Sequence, residues 1–162
     1  MALRYVGRYA TSRAKLAAYL ARKLRERGWE GEGDPPIDSL VERFTELGYV
    51  DDAAFAANKA RSLTARGYGA RRLGDALYAA GIAESDAEEA NRIAESQKID
   101  AALAFARRRR FGPYAQKRET DPARREKQVA AMLRAGHPYG IVRKILDLSP
   151  GAAVNSADLL EN

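Results

Sequence analysis

The chain has 162 residues, which suits one ordinary domain or a short series of small ones, and its 46 % hydrophobic content excludes a chain that is disordered by composition. It has no cysteine, which excludes disulfides, cysteine-ligated metal clusters and thiol nucleophiles. The 28 basic and 22 acidic residues give a net charge of +6, and such an excess favours an anionic partner.

Apolar residues recur at intervals of three and four along most of the chain, which is the spacing of one buried helix face. No stretch alternates apolar and polar residues with the period of a half-buried strand. The spacing therefore predicts an all-α fold with nine helical segments. The first eight cover residues 2–10, 13–27, 36–47, 52–66, 70–80, 84–96, 99–110 and 122–135, and the last holds Ile141, Val142, Ile145 and Leu146.

Glycines mark the ends of several of these segments. A glycine after a helix adopts the left-handed conformation at little cost, and an apolar residue after it packs back on the last turn in a Schellman-type stop. The pair Gly28-Trp29 has this form. The predicted stops are Gly28, Gly48, Gly67, Gly81 and Gly136.

The stops recur with a period that predicts repeats. Gly28 and Gly81 are 53 residues apart, and Gly81 and Gly136 are 55 apart. A period of this length is typical of stacked helical units that form an elongated molecule. The sequence predicts three tandem three-helix repeats, over residues 1–48, 49–96 and 97–148, followed by a flexible tail over 149–162.

The stretch 66–72, which we call the central corner, contains a tight Gly67-Tyr68-Gly69 turn between two predicted helices. Arg71 and Arg72 fall in the first turn of the second helix, where the helix dipole disfavours cations. Cations in that position favour a role in binding a partner, although a solvated charged face is the alternative. The predicted partner-binding residues are Arg66, Tyr68, Arg71 and Arg72.

A basic stretch over residues 107–127 carries nine cations and three acids, so it accounts for the net charge of the whole chain. Phe111 and Tyr114 interleave with the cations, a pattern compatible with single-stranded nucleic acid. The stretch predicts contact with nucleic acid or with an acidic protein surface, and a merely soluble surface is the alternative. Its cations are Arg107, Arg108, Arg109, Arg110, Lys117, Arg118, Arg124, Arg125 and Lys127.

The groups that catalysis needs do not assemble in the sequence. His137 is the only histidine, so a metal site is not expected there, and its place before Pro138 is typical of a helix stop. Asp51 and Asp52 precede a helix, where caps are a better interpretation than a catalytic carboxylate pair. No Gly-Lys-Ser/Thr phosphate-binding motif occurs. The sequence favours a binding protein without a cofactor rather than an enzyme.

No apolar run approaches the roughly 20 residues that span a bilayer. The first eight residues lack the continuous apolar core of a signal peptide. We therefore expect a cytoplasmic protein with no membrane partner.

Several segments of the chain carry a resemblance to a known family. Near the start stands Tyr9-x-x-Ser12-Arg13-x-x-Leu16. The middle contains Leu47-Gly48-Tyr49-Val50-Asp51-Asp52-x-x-Phe55-Ala56, then Arg66-Gly67-Tyr68-Gly69-x-Arg71-Arg72-Leu73 and Gly81-Ile82. The last part contains Met132-Leu133-Arg134-Ala135-Gly136, then Tyr139 and Ile141-Val142. Over roughly residues 2–148 these segments resemble the RecX family, whose members regulate the RecA recombinase.

The resemblance implies three tandem three-helix repeats in an elongated, curved molecule, in agreement with the glycine period. It also implies a non-catalytic modulator that binds RecA, lies along the groove of the RecA–ssDNA filament and inhibits recombinase, ATPase and co-protease activities. We expect the protein to be a monomer. Ala70 stands where the family often has proline. The alternative is a general helical DNA-binding module that acts by competition for DNA, and weak direct DNA binding is compatible with both.

Overall fold

The structure is a computed structural model, and it describes residues 1–160. Every regular element in this part of the chain is helical, which confirms the all-α prediction. A 3₁₀ turn covers Gly112–Tyr114. The α-helices are α1 (Ala2–Val6), α2 (Arg13–Arg27), α3 (Ile37–Glu46), α4 (Asp52–Ala65), α5 (Ala70–Ala79), α6 (Glu84–Ser96), α7 (Lys98–Arg109), α8 (Pro122–Arg134), α9 (Tyr139–Asp147) and α10 (Ser156–Leu160).

Helix ends follow the glycines closely. Gly48, Gly67, Gly81 and Gly136 all have positive φ, and in each case the next residue donates its N–H to the carbonyl five residues earlier. These are Schellman stops. Gly28 is different, because its ψ is 165° and its N–H donates to Leu24 O over 2.8 Å. The indole N–H of Trp29 donates forward along the chain, to Gly33 O. The predicted Schellman stop at Gly28 is therefore wrong, because the chain leaves α2 in an extended direction.

Contacts divide the chain into two compact units. Unit 1 contains Met1–Asn58 and Leu77–Glu89, and unit 2 contains Lys59–Ala76 and the described residues from Ala90 onward. The predicted division into repeats at 1–48, 49–96 and 97–148 stays a prediction.

Unit 1 has a core of aliphatic and aromatic side chains from α1, α2 and α3, which includes Leu16, Leu20, Val41, Phe44 and Val50. These residues come from the 3–4 spacing of α2 and α3. Beside the core, the Ser12 hydroxyl donates to Ala80 O over 2.5 Å and accepts from Lys15 N, so one side chain both caps α2 and joins it to the end of α5.

Unit 2 has a larger core, built from Ile99, Ala102, Phe105, Ala106, Met132, Ala135, Ile141, Val142, Ile145, Leu146 and Leu159. Leu159 belongs to α10, and only 5 % of it is exposed. α10 lies within the predicted tail over residues 149–162, and its Leu159 fills part of the core; the flexibility of that tail stays a prediction. The last two residues of the predicted tail, 161 and 162, lie outside the described residues.

None of the helices within residues 1–160 combines the length and apolar character that crossing a membrane requires. Nor do those residues gather three or more histidine, cysteine or acidic side chains where they could share a metal ion.

Candidate partner-binding surface

The central corner is held tightly in unit 2. Gly67 has φ +80°, and a Cβ atom there would lie 2.8 Å from the backbone nitrogen of Phe105 in α7. Gly69 donates its N–H to Ala135 O over 2.8 Å at the end of α8. A Cβ on Gly69 would lie 2.3 Å from Gly136 O. At both positions a side chain would therefore collide with the backbone of another segment. This close packing requires glycine at both positions.

Tyr68 is where the two predicted sets of cations meet. Its ring is half-buried against the unit 2 core, and the guanidinium carbon atoms of Arg66 and Arg108 lie 5.4 Å and 5.9 Å from its centroid. Arg108 also donates to the carbonyl oxygen of Arg66 over 2.6 Å. These distances are within the range of cation–π contacts. The structure thus joins the start of the basic stretch to the central corner.

Arg71 and Arg72 are exposed and line a hollow of about 250 Å³ with Asp75, Leu133 and Arg134. Within residues 1–160, none of these three arginines forms an ion pair. Arg134 was not among the candidate residues predicted from the sequence. The residue stands just before the glycine stop of α8, but only the packing of that stop against the central corner brings it beside Arg72.

The four arginines that end α7 are all exposed, as expected from the sequence. Arg107 lies over the ring of Tyr114 at 5.0 Å, and Arg109 lies over Phe111 at 5.7 Å. Both rings also pack against the unit 2 core. Phe111 and Tyr114 therefore support the core and the arginines, which leaves less of each ring open to a nucleic-acid base.

The remaining basic residues of the stretch differ in their surroundings. Arg125 pairs with Asp147 over 2.5 Å and donates to the carbonyl of Leu146, so it caps the end of α9. Arg124 pairs with Asp121 over 3.5 Å. Of these remaining residues, Lys117, Arg118 and Lys127 are exposed and form no ion pair in the described structure.

His137 is buried behind the central corner, where only 3 % of it is exposed. Its Nε2 lies 3.0 Å from Gly67 O, while Nδ1 has no hydrogen-bond partner among the described residues. Burial lowers the pKa of His137, and the hydrogen bond to Gly67 opposes that shift. We assign the neutral ring with a proton on Nε2, because that nitrogen faces a carbonyl acceptor. The residue joins the stop of α8 to the stop of α4.

Comparison with known proteins finds matches over most of the chain. A family model for the second three-helix domain of RecX matches residues 51–90, which include α4, α5 and the first part of α6. The chain is 33 % identical over 156 residues to the Regulatory protein RecX of Myxococcus xanthus, with 92 % of this chain and 83 % of that protein covered.

Two further relatives carry the same name. The chain is 32 % identical to the Regulatory protein RecX of Agrobacterium fabrum, with 80 % of this chain and 71 % of that protein covered. It is 34 % identical to the Regulatory protein RecX of Thermus thermophilus, with 67 % of this chain and 68 % of that protein covered. The chain therefore belongs to the RecX family of regulatory proteins.

Proposed function

We propose that the protein binds the RecA–DNA filament and inhibits its recombinase, ATPase and co-protease activities. Membership of a family of regulatory proteins supports this proposal, as does the resemblance of the central motifs to regulators of RecA.

The observation that carries the proposal is the arrangement of cations around Tyr68. Arg66 and Arg108 flank the ring, and a second group, Arg71, Arg72 and Arg134, lines the neighbouring hollow without an ion pair in the described residues. Guanidinium groups in this state can pair with carboxylates of a protein or phosphates of DNA. Tyr68 would act as the aromatic anchor of the contact, since aromatic and arginine side chains dominate binding energy at interfaces.

Inhibition would follow if the protein prefers one conformation of the filament. A ligand shifts an equilibrium between conformations only by its difference in affinity for them. A regulator with several weak contacts along a filament can reach that difference, because each further contact forms within the same complex.

The test is a titration of the protein into a RecA ATPase assay on single-stranded DNA. We expect the wild-type protein to inhibit and the double variant Arg71→Glu with Arg72→Glu to lose inhibition while it keeps its helical circular dichroism. The matched control is Arg25→Glu with Arg27→Glu, which makes the same change in net charge at exposed positions at the end of α2. Full inhibition by the folded Arg71/Arg72 variant would remove these residues from the site.

The alternative, competition for DNA, is separated by the same assay with added strands. If the protein acts on the filament, inhibition depends on its ratio to RecA when the amount of DNA is varied. If it competes for DNA, inhibition depends on its ratio to DNA instead, and the proposed function is then wrong.

A further inference from the structure

A second basic and aromatic surface lies in unit 1. A hollow of about 580 Å³, which we call the N-terminal hollow, is lined by the start of the chain and one side of α2. Its cations are Arg4, Arg8, Lys15 and Arg22. Its aromatic side chains are Tyr5, Tyr9 and Tyr19, and no acidic residue lines it.

The charged side chains at the start of the sequence are all basic. The first 25 residues contain seven basic residues and no acidic one, and Glu26 is the first acid. Arg4 and Arg8 are exposed and form no ion pair within the part of the chain that the structure describes. The ammonium group of Lys15 lies 5.3 Å from the ring of Phe55. Arg22 is 3.8 Å from Glu26, but both side chains are open to solvent, so that pair is weak.

The three tyrosines form a connected aromatic group. Tyr5 stacks on Tyr19 with centroids 3.9 Å apart and ring planes inclined by 10°, and Tyr9 lies 5.4 Å from Tyr5. Tyr5 and Tyr19 pack against the unit 1 core, which fixes the stack in place. Tyr9 is 54 % exposed at the open end of the group. The exposed ring of Tyr9 can therefore stack on a planar ligand.

We propose that the N-terminal hollow binds single-stranded nucleic acid. Unpaired bases stack on aromatic rings, while basic side chains beside the rings follow the phosphates, and this hollow presents both features together. A duplex would satisfy only the cations, because its base faces are covered by neighbouring base pairs. A peptide rich in Asp and Glu would pair with the cations, but it has no planar base to stack on the exposed ring of Tyr9. This proposal does not depend on the proposed action on RecA, since the hollow is complete within unit 1.

The experiment measures fluorescence anisotropy of a labelled oligothymidylate of about 20 nucleotides with the full chain and no RecA. We expect Tyr9→Ala to weaken binding roughly 5-fold to 150-fold, the effect of losing one base stack. Its matched control is Tyr78→Ala, which removes a tyrosine that is 89 % exposed and does not line the hollow, and which should leave binding unchanged.

A second pair of variants tests whether binding depends on cations in the hollow or only on the net charge of the protein. Arg4→Gln with Arg8→Gln should reduce the slope of log affinity against log salt by about 1.4, because each phosphate contact to a single strand contributes about 0.7. Arg25→Gln with Arg27→Gln removes the same charge outside the hollow and should leave the slope unchanged. Equal losses for both pairs, equal losses for both tyrosine variants, or tighter binding of duplex than of single strand would each overturn the proposal.

Failure here and failure of the proposed function are distinguishable. A protein that inhibits RecA but shows no Tyr9-dependent binding to the oligonucleotide would overturn only the N-terminal site. Tyr9-dependent binding by a protein that leaves the RecA ATPase unchanged would support this site and contradict the proposed function.

Discussion

Asp52 joins the start of α4 to the start of α2 through Arg13. One carboxylate oxygen accepts from the backbone N–H of Arg13 over 2.8 Å, and the other lies 3.2 Å from its Nε. Only 3 % of the Asp52 side chain is exposed, and Arg13 continues to Asp86 at the start of α6 over 2.6 Å. Asp51 is the residue that caps α4, since its Oδ1 accepts from Ala54 N over 2.8 Å. The adjacent aspartates therefore have different roles, and the prediction that both are caps is wrong for Asp52.

We expect Asp52→Asn to lower the free energy of unfolding by about 1.5–3 kcal/mol, the usual contribution of a hydrogen bond to a charged group. Asp51→Asn is the matched control and should change it little, because asparagine caps a helix about as well as aspartate. Urea unfolding of the two variants gives the comparison. Equal stability of the two would show that the link to Arg13 contributes nothing.

The glycines at positions 67 and 74 should respond in opposite directions to alanine. Gly67→Ala adds a Cβ atom 2.8 Å from the Phe105 nitrogen at a φ of +80°, so we expect a loss of at least about 1–2 kcal/mol. Gly74 lies inside α5 with no atom within 4 Å of an added Cβ. Gly74→Ala should therefore raise the free energy of unfolding by about 0.5–1 kcal/mol. Thermal unfolding of both variants checks the two signs.

Arg110 ends α7 in a conformation that favours glycine. Its φ is +58°, and Phe111 donates its N–H to Ala106 O over 2.9 Å, as in a Schellman stop. We expect Arg110→Gly to stabilise the protein by about 0.5–1 kcal/mol, because glycine removes the left-handed strain but gains freedom in the unfolded chain. Arg109→Gly removes the same charge from within the helix and should destabilise it. A lower unfolding temperature for Arg110→Gly would contradict this explanation.

His137 should make stability depend on pH. Because burial lowers its pKa in the folded protein, the unfolded chain binds the proton more readily once the pH falls below about 6.5. The stabilising contribution of the neutral ring is therefore present above that pH and is lost as the pH falls towards the folded pKa.

The size of this effect is bounded by a single proton, at most about 1.4 kcal/mol for each pH unit in that window. Urea unfolding between about pH 5 and pH 8 should show a steeper loss for the wild-type protein than for His137→Gln. Parallel curves would mean that the ring does not titrate differently in the two states.

Sequence alone determined the helices and most of their ends. The interactions responsible are local, because 3–4 apolar spacing and a glycine with positive φ act over a few neighbouring residues. The stops at Gly48 and Gly67 were predicted for this reason. The basic stretch at 107–127 was also visible, because charge can be counted directly. The acid-free first 25 residues could have been counted in the same way, but the overall balance of the remaining chain concealed them.

Tertiary structure decided which of those residues act together. Arg108 meets Arg66 across 42 positions in the sequence, and His137 meets Gly67 across 70. Arg125 belongs to the same basic stretch, yet it is committed to Asp147. No local pattern distinguishes these arginines, because their partners depend on how α7, α8 and the central corner pack. The burial of His137 and the exposure of Arg108 are consequences of that packing, so only the folded chain determines them.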